Sequence, residues 1–210
     1  MAITTTAGAL SLGLIERTRQ MKRLVLAVGV LAMTVPMLAQ SSTWAPDKAH
    51  SEVDFSILHM SLSKVHGRFG VSGGQITWNE ADITKSSVNM TIDVASVDTG
   101  VAARDNDLKG ANLFDTAQFP TATFASTSVA KADKGLTVQG NLTLHGVTKP
   151  VTLQVEGPTG PAQGMGGKMH AGFSATTTIS RTAFGIGAKM PSAVVGDDVQ
   201  LNIELDVVKQ

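Results

Sequence analysis

The stretch LTVQGNLTLHGVTKPVTLQV, Leu136 to Val155, decides how the rest of this chain is read. Its first arm puts Leu136, Val138, Leu142 and Leu144 on one face and Thr137, Gln139, Asn141 and Thr143 on the other. The second arm repeats the pattern, with Val151, Leu153 and Val155 against Thr152, Gln154 and Glu156. Strict alternation is the signature of strands with one buried face. Gly146 and Pro150 fall in the linker, so the arms predict a hairpin with a loop of several residues and Pro150 at the start of the second strand. Nothing in it is a catalytic motif. It is a wall with one dry side.

The same period recurs outward from this hairpin. Ser51 to Met60 sets Val53, Phe55, Ile57 and His59 against Glu52, Asp54, Ser56 and Leu58. His66 to Asn79 is interrupted by Gly67, Gly70, Gly73 and Gly74, which predicts a long strand with a bulge or bend. Ser86 to Val97 and Thr121 to Val129 follow, then Met169 to Ile179 and Val199 to Val207. Gly157 to Gly167, rich in Gly and Pro, predicts a loose loop. Only Val101 to Gly110 looks helical, with Gly110 as its stop. About eight strands, each with one apolar face, must close into a barrel or stack as a sandwich. Strand length and glycine bends favour the closed, strongly coiled sheet. The fold class is therefore all-β, an antiparallel barrel of about eight strands with one short helix.

Composition narrows the function. The 210 residues carry 17 Lys+Arg and 17 Asp+Glu, a formal net charge of zero, so no basic face for nucleic acid is indicated. The absence of cysteine excludes disulfides, thiolate metal sites and a cysteine nucleophile. Lys22 and Arg23 precede an apolar run from Leu24 to Val35, too short for a comfortable membrane span. That pattern predicts a secretory signal peptide over residues 21–40, with residues 1–20 as an upstream extension ahead of a start at Met21. Cleavage after Ala39 would place Met37 at −3, a poor match, so the cut itself is not assigned. Residues 41–210 then form the exported domain, with 13 Lys+Arg against 16 Asp+Glu, a formal net charge of −3. The expected location is the periplasm or the exterior.

Several ordered blocks resemble the YceI-like family. They are Ala49-His50-Ser51 with Phe55, His59-Met60 and Gly67-Arg68-Phe69; Ala95 to Thr99 with Arg104 to Lys109; Leu113-Phe114-Asp115 with Gln118 to Phe124; Gly140 to Val151; Ile179 to Gly185; and Val195 to Val199. The resemblance covers nearly all of residues 43–208. It implies an extended, lipocalin-like barrel in an exported protein that binds polyisoprenoids or related long amphiphiles. Members of the family are not known as enzymes. The low aromatic content and the Gly-rich stretch Gly157–Gly167 depart from the pattern and bear on the shape of one rim.

A prenyl tail asks only for an apolar lining. At roughly 0.8 kcal/mol per buried methylene, a tail of about twenty carbons gains on the order of 16 kcal/mol gross before ordering costs. The ligand-lining candidates are Phe55, Ile57, His59, Phe69, Val88, Met90, Ile92, Phe124, Leu142, Leu144, Phe173, Leu201 and Ile203, with Arg104 as a head-group candidate at a barrel mouth. Taken singly, each apolar member more often belongs to a solid core; the resemblance shifts the balance for the set. Arg104-Asp105 reads equally as an ion pair or a loop anchor. Arg181, if buried, calls for a carboxylate such as Asp98, Asp105 or Asp115. His50, His59, His66 and His145 lack a metal-ligand spacing, and each is better read as a hydrogen-bonded structural histidine. There is no G-x-S-x-G elbow, P-loop or H-E-x-x-H, and adjacent strand residues such as His50 and Ser51 point to opposite faces. No cofactor is indicated. The expected partner is an isoprenoid or other long-chain lipid, with membrane contact transient at most and homodimerisation open. The competing reading is a non-enzymatic interaction or stress-response sandwich with a filled core.

Overall fold

The computed structural model describes residues 41–210; the expected signal peptide and upstream extension lie outside the described residues. Nine strands follow in order: β1 (Ser41–Pro46), β2 (Glu52–His59), β3 (Ser63–Asn79), β4 (Ser87–Asp98), β5 (Thr121–Lys131), β6 (Leu136–Leu144), β7 (Val147–Gln163), β8 (Met169–Ser180) and β9 (Val195–Lys209). One helix, α1 (Ala102–Lys109), lies between β4 and β5. All pairings are antiparallel and run β3-β2-β9-β8-β7-β6-β5-β4, with β4 returning to β3. The sheet is closed, which removes its edges and leaves one interior for all the apolar faces.

Eight positions around the barrel hold nine strands because β1 and β2 share one. β3 and β9 run 17 and 15 residues, and β2 covers only 8 of that length. β2 pairs the upper halves, Phe55 opposite Gly67 and Leu201. β1 pairs the lower halves, with Trp44 opposite Ile76 and Lys209. The break between them is sealed on β9: Asp47 N–H donates to the Asp206 carbonyl at 2.8 Å, the Ser51 hydroxyl to the same oxygen at 3.0 Å, and Asp206 N–H to Ser51 Oγ at 3.1 Å. β1 was not legible as a strand, since six residues with one Pro show too little alternation. In place it buries Trp44, 1% exposed, against Trp78.

The β6–β7 hairpin is tighter than expected. Its loop is only His145 and Gly146, both left-handed (φ 52° and 74°), the geometry of the favoured two-residue hairpin turn. Pro150 sits inside β7, opposite Asn141, not at its start. It is tolerated because β7 has no β8 partner before Gln154, so that side of the strand is an edge. The stretch Gly157–Gly167 is also corrected: β7 continues to Gln163, paired to β8 through Thr159–Gly172 and Ala162–His170, with register shifts that accommodate the Gly-Pro pairs. β3 bends where expected, with register shifts at Gly70 and Gly73. Gly74 allows this bend: its φ is +140°, and a Cβ there would strike the Asn89 carbonyl and Met90. α1 ends at Gly110 as its pattern implies.

Candidate functional site

The barrel encloses a cavity of about 250 Å³. Its wall draws Ile76 and Trp78 from β3, Met90 and Ile92 from β4, Phe124 from β5, Leu142 from β6, Phe173 and Ala175 from β8 and Leu201 and Ile203 from β9, among others. Only Ser86, Thr177, Arg181 and the Trp78 indole bring polar side-chain groups to the lining. An interior of that kind stays dry and favours apolar guests. On β9 the lining runs from Val195 to Leu205. That is ~34 Å of strand at ~3.4 Å per residue, or ~26 Å along the barrel axis at a tilt of ~40°. An extended apolar chain lying along such an axis would meet apolar side chains over most of its length.

Of the residues singled out from the sequence, Phe55, Ile57, Phe69, Val88, Met90, Ile92, Phe124, Leu142, Leu144, Phe173, Leu201 and Ile203 line this cavity. His59 does not: the last turn of alternation carries it past the barrel wall, where it is exposed beside the β2–β3 turn. Arg104 does not either. It donates to Thr99 Oγ1 at 2.8 Å and to the Thr99 carbonyl at 2.9 Å, while Asp105 accepts the Thr99 N–H at 2.9 Å and its hydroxyl at 2.5 Å. The Arg104-Asp105 pair fastens the start of α1 to the end of β4.

Residues with no strand pattern complete the wall. Leu108, Leu113 and Phe114 come from α1 and the segment after it, Ile83 from the β3–β4 connection, and Ile186 from the β8–β9 connection. Phe114 meets Phe69 edge-on at 5.4 Å, and Phe69 lies 5.2 Å from Phe55. The sequence signals for these were the Arg104–Lys109 and Leu113-Phe114 blocks, which cover Leu108, Leu113 and Phe114; periodicity is silent in connections.

Arg181 is 4% exposed and bounds the cavity at the end where β8 leaves the barrel. No carboxylate holds it, contrary to expectation. Its Nε donates to Gly196 O, one terminal nitrogen to Ile186 O and Gly187 O, the other to Met190 O and Val195 O, at 2.5–3.0 Å. All five guanidinium donors are spent on carbonyls of the β8–β9 connection and the first two residues of β9, which a fixed fork can satisfy and a lysine cannot. Asp98 pairs instead with Arg68 at 3.1 Å. Asp197 binds the hydroxyls of Ser180 (2.6 Å) and Thr182 (2.7 Å), and these bonds hold its carboxyl below the usual carboxylate range.

The histidines stand apart from the cavity. His145 contacts the Phe184 carbonyl at 3.1 Å and packs edge-on with Phe119, tying the β6–β7 turn to the β8–β9 connection. His50 pairs with Asp47 at 3.0 Å on the outer wall; that bond raises the imidazole pKa and lowers the carboxyl. His170, not singled out from the sequence, pairs with Asp206 at 2.7 Å nearby.

A closed antiparallel barrel with an apolar, axial cavity defines a protein of the lipocalin-like class. Residues 44–207 match the YceI-like domain family. The chain belongs to that family. It is 37% identical over 188 residues to a UPF0312 protein of Vibrio vulnificus, covering 88% of this chain and 98% of that one. A UPF0312 protein of a Shewanella species is 36% identical over 192 residues, with 90% and 99% covered. Among solved structures, a YceI protein of Campylobacter jejuni superposes with a TM-score of 0.65 at 34% identity, covering 78% of this chain and 96% of that one. A polyisoprenoid-binding domain from Saccharophagus degradans shares the fold, with a TM-score of 0.57, 18% identity, and 80% and 98% covered.

Proposed function

We propose that this protein is an exported binding protein, periplasmic or secreted and not an enzyme, which holds a polyisoprenoid or isoprenoid-quinone-like lipid along its barrel axis for transport, storage or sequestration. The observation that carries this reading is the cavity: about 250 Å³, reaching along the barrel and apolar along its length. The Saccharophagus degradans domain of the same fold, described as polyisoprenoid-binding, supports it. Affinity comes from area removed from water, which needs no hydrogen bonds along the tail. Met90, with an unbranched side chain, and the tilted Phe55–Phe69 pair adapt the wall to methyl branches. Arg104 is occupied by Thr99, so it is not the head-group contact in this reading.

The test is mass spectrometry of protein purified without detergent, first native and then after organic extraction. A stoichiometric isoprenoid or similar lipid is the expected result. An empty protein that also rejects prenyl probes in titration would point to a filled-core interaction module instead.

A further inference from the structure

Among the described residues, six of the seven large apolar side chains left exposed stand at one end of the barrel: Leu58, Met60, Leu62, Val101, Met190 and Val194. The seventh, Met165, is alone at the other end. Five of the six form one rim. Met60 N–H donates to the Val194 carbonyl at 2.8 Å, joining the β2–β3 turn to the β8–β9 connection that also carries Met190. Leu58 packs directly against Gly196, where an added Cβ would lie 3.2 Å from its own. Leu62, in the same turn, is 84% exposed.

Two further observations say what this rim faces. Met60 and Ser61 both adopt left-handed backbone (φ 52° and 59°), a conformation that Gly or Asn takes at less cost. The turn thus holds Met60 outward, 56% exposed. The rim is also free of acid. Neither Leu58–Gly67 nor Phe184–Gly196 contains an Asp or Glu, while each contributes one exposed lysine, Lys64 and Lys189. Asp197, next in sequence, is turned to Ser180 and Thr182, and Asp198 borders the rim exposed; the α1 segment, joined to the rim where Gly187 N–H donates to the Asn112 carbonyl, adds Asp105, Asp107 and Asp115 beside Arg104 and Lys109. Residues 41–210 carry a net charge of −3, while Lys64 and Lys189, set among the apolar side chains of the rim, give it a local cationic face toward an anionic surface.

We propose that this end of the barrel docks on an anionic lipid bilayer, with Met60 and Leu62 entering the interface and Lys64 and Lys189 meeting phosphates. Ile57 and Val195, the chain neighbours of Leu58 and Val194, line the cavity, so docking brings the end of the cavity to the lipid. Docking itself does not depend on which guest the cavity holds.

The experiment is flotation of the purified protein with phosphatidylcholine vesicles, with and without phosphatidylglycerol, at low and high salt. Wild type floats with the anionic vesicles at low salt, and salt weakens it. Met60→Ser/Leu62→Ser and Lys64→Glu/Lys189→Glu each reduce binding about tenfold or more, and Met165→Ser leaves it unchanged. Circular dichroism and binding of a soluble fluorescent prenyl probe, unchanged in both double variants, exclude misfolding and separate this result from failure of the cavity reading. Wild type that does not float, or Met165→Ser weakening it as much as the rim variants, overturns the proposal. So does a dimer dispersed by Met60→Ser/Leu62→Ser without vesicle binding, which would assign the rim to a second copy of the chain.

Discussion

Replacing Ala175 by Phe tests whether the interior is a cavity or a filled core. Ala175 lies on β8, in register with Val155 on β7 and Ile203 on β9, and all three line the cavity. Phenylalanine brings six ring carbons into that space. In a filled interior the ring overpacks and costs ~1–3 kcal/mol. In the cavity it finds room, so the unfolding free energy stays level or rises. The guest loses what the ring occupies. At ~0.8 kcal/mol per buried carbon, displacing two carbons of a tail weakens binding about tenfold, and displacing all six by about three orders of magnitude. Two assays read this: urea unfolding, with a midpoint shift at constant slope, and titration of a fluorescent prenyl probe. A loss of ~1–3 kcal/mol together with unchanged probe binding would refute the cavity argument.

Leu142→Asp and Ile92→Asp put a carboxylate into the apolar wall and abolish lipid retention, checked by extraction and mass spectrometry; a folded variant that keeps its lipid would show that the residue does not face the guest. Arg181→Met leaves three carbonyls of the β8–β9 connection and two at the start of β9 without their donor and destabilises by at least ~3 kcal/mol, with amide exchange accelerating first between residues 184 and 196. Gly146→Ala forces a side chain into left-handed backbone 2.8 Å from the Phe119 ring and costs ~1–2 kcal/mol in urea unfolding. Asp197 has a folded pKa depressed by Ser180 and Thr182, so its contribution is full above the ordinary value of 3.8 and is lost as pH falls through the lower folded value; Asp197→Asn removes that acid-side decline from the pH dependence of stability.

The sequence by itself determined the wall. Alternation in Leu136–Val155, Ser86–Val97 and Val199–Val207 depends only on the period of a strand, a local property, and it names which side chains face inward. Twelve residues that line the cavity were named in advance, as inward-facing side chains that the family resemblance turned from core to lining, and strand length with glycine bends favoured the closed barrel over a sandwich. Alternation does not say where a strand clears the wall, which is why His59 was placed inside and is exposed. It also ignores partners: Gly157–Gln163 carries turn-forming residues, yet pairing with β8 makes it strand. Tertiary structure alone decided the ends. β1 exists because β3 and β9 outrun β2 and leave hydrogen-bonding edges to cover. Arg181 finds five carbonyls in place of a carboxylate because the connection after β8 folds around it. The rim of Leu58, Met60, Leu62, Met190 and Val194 joins segments more than a hundred residues apart, and only chain closure brings them together.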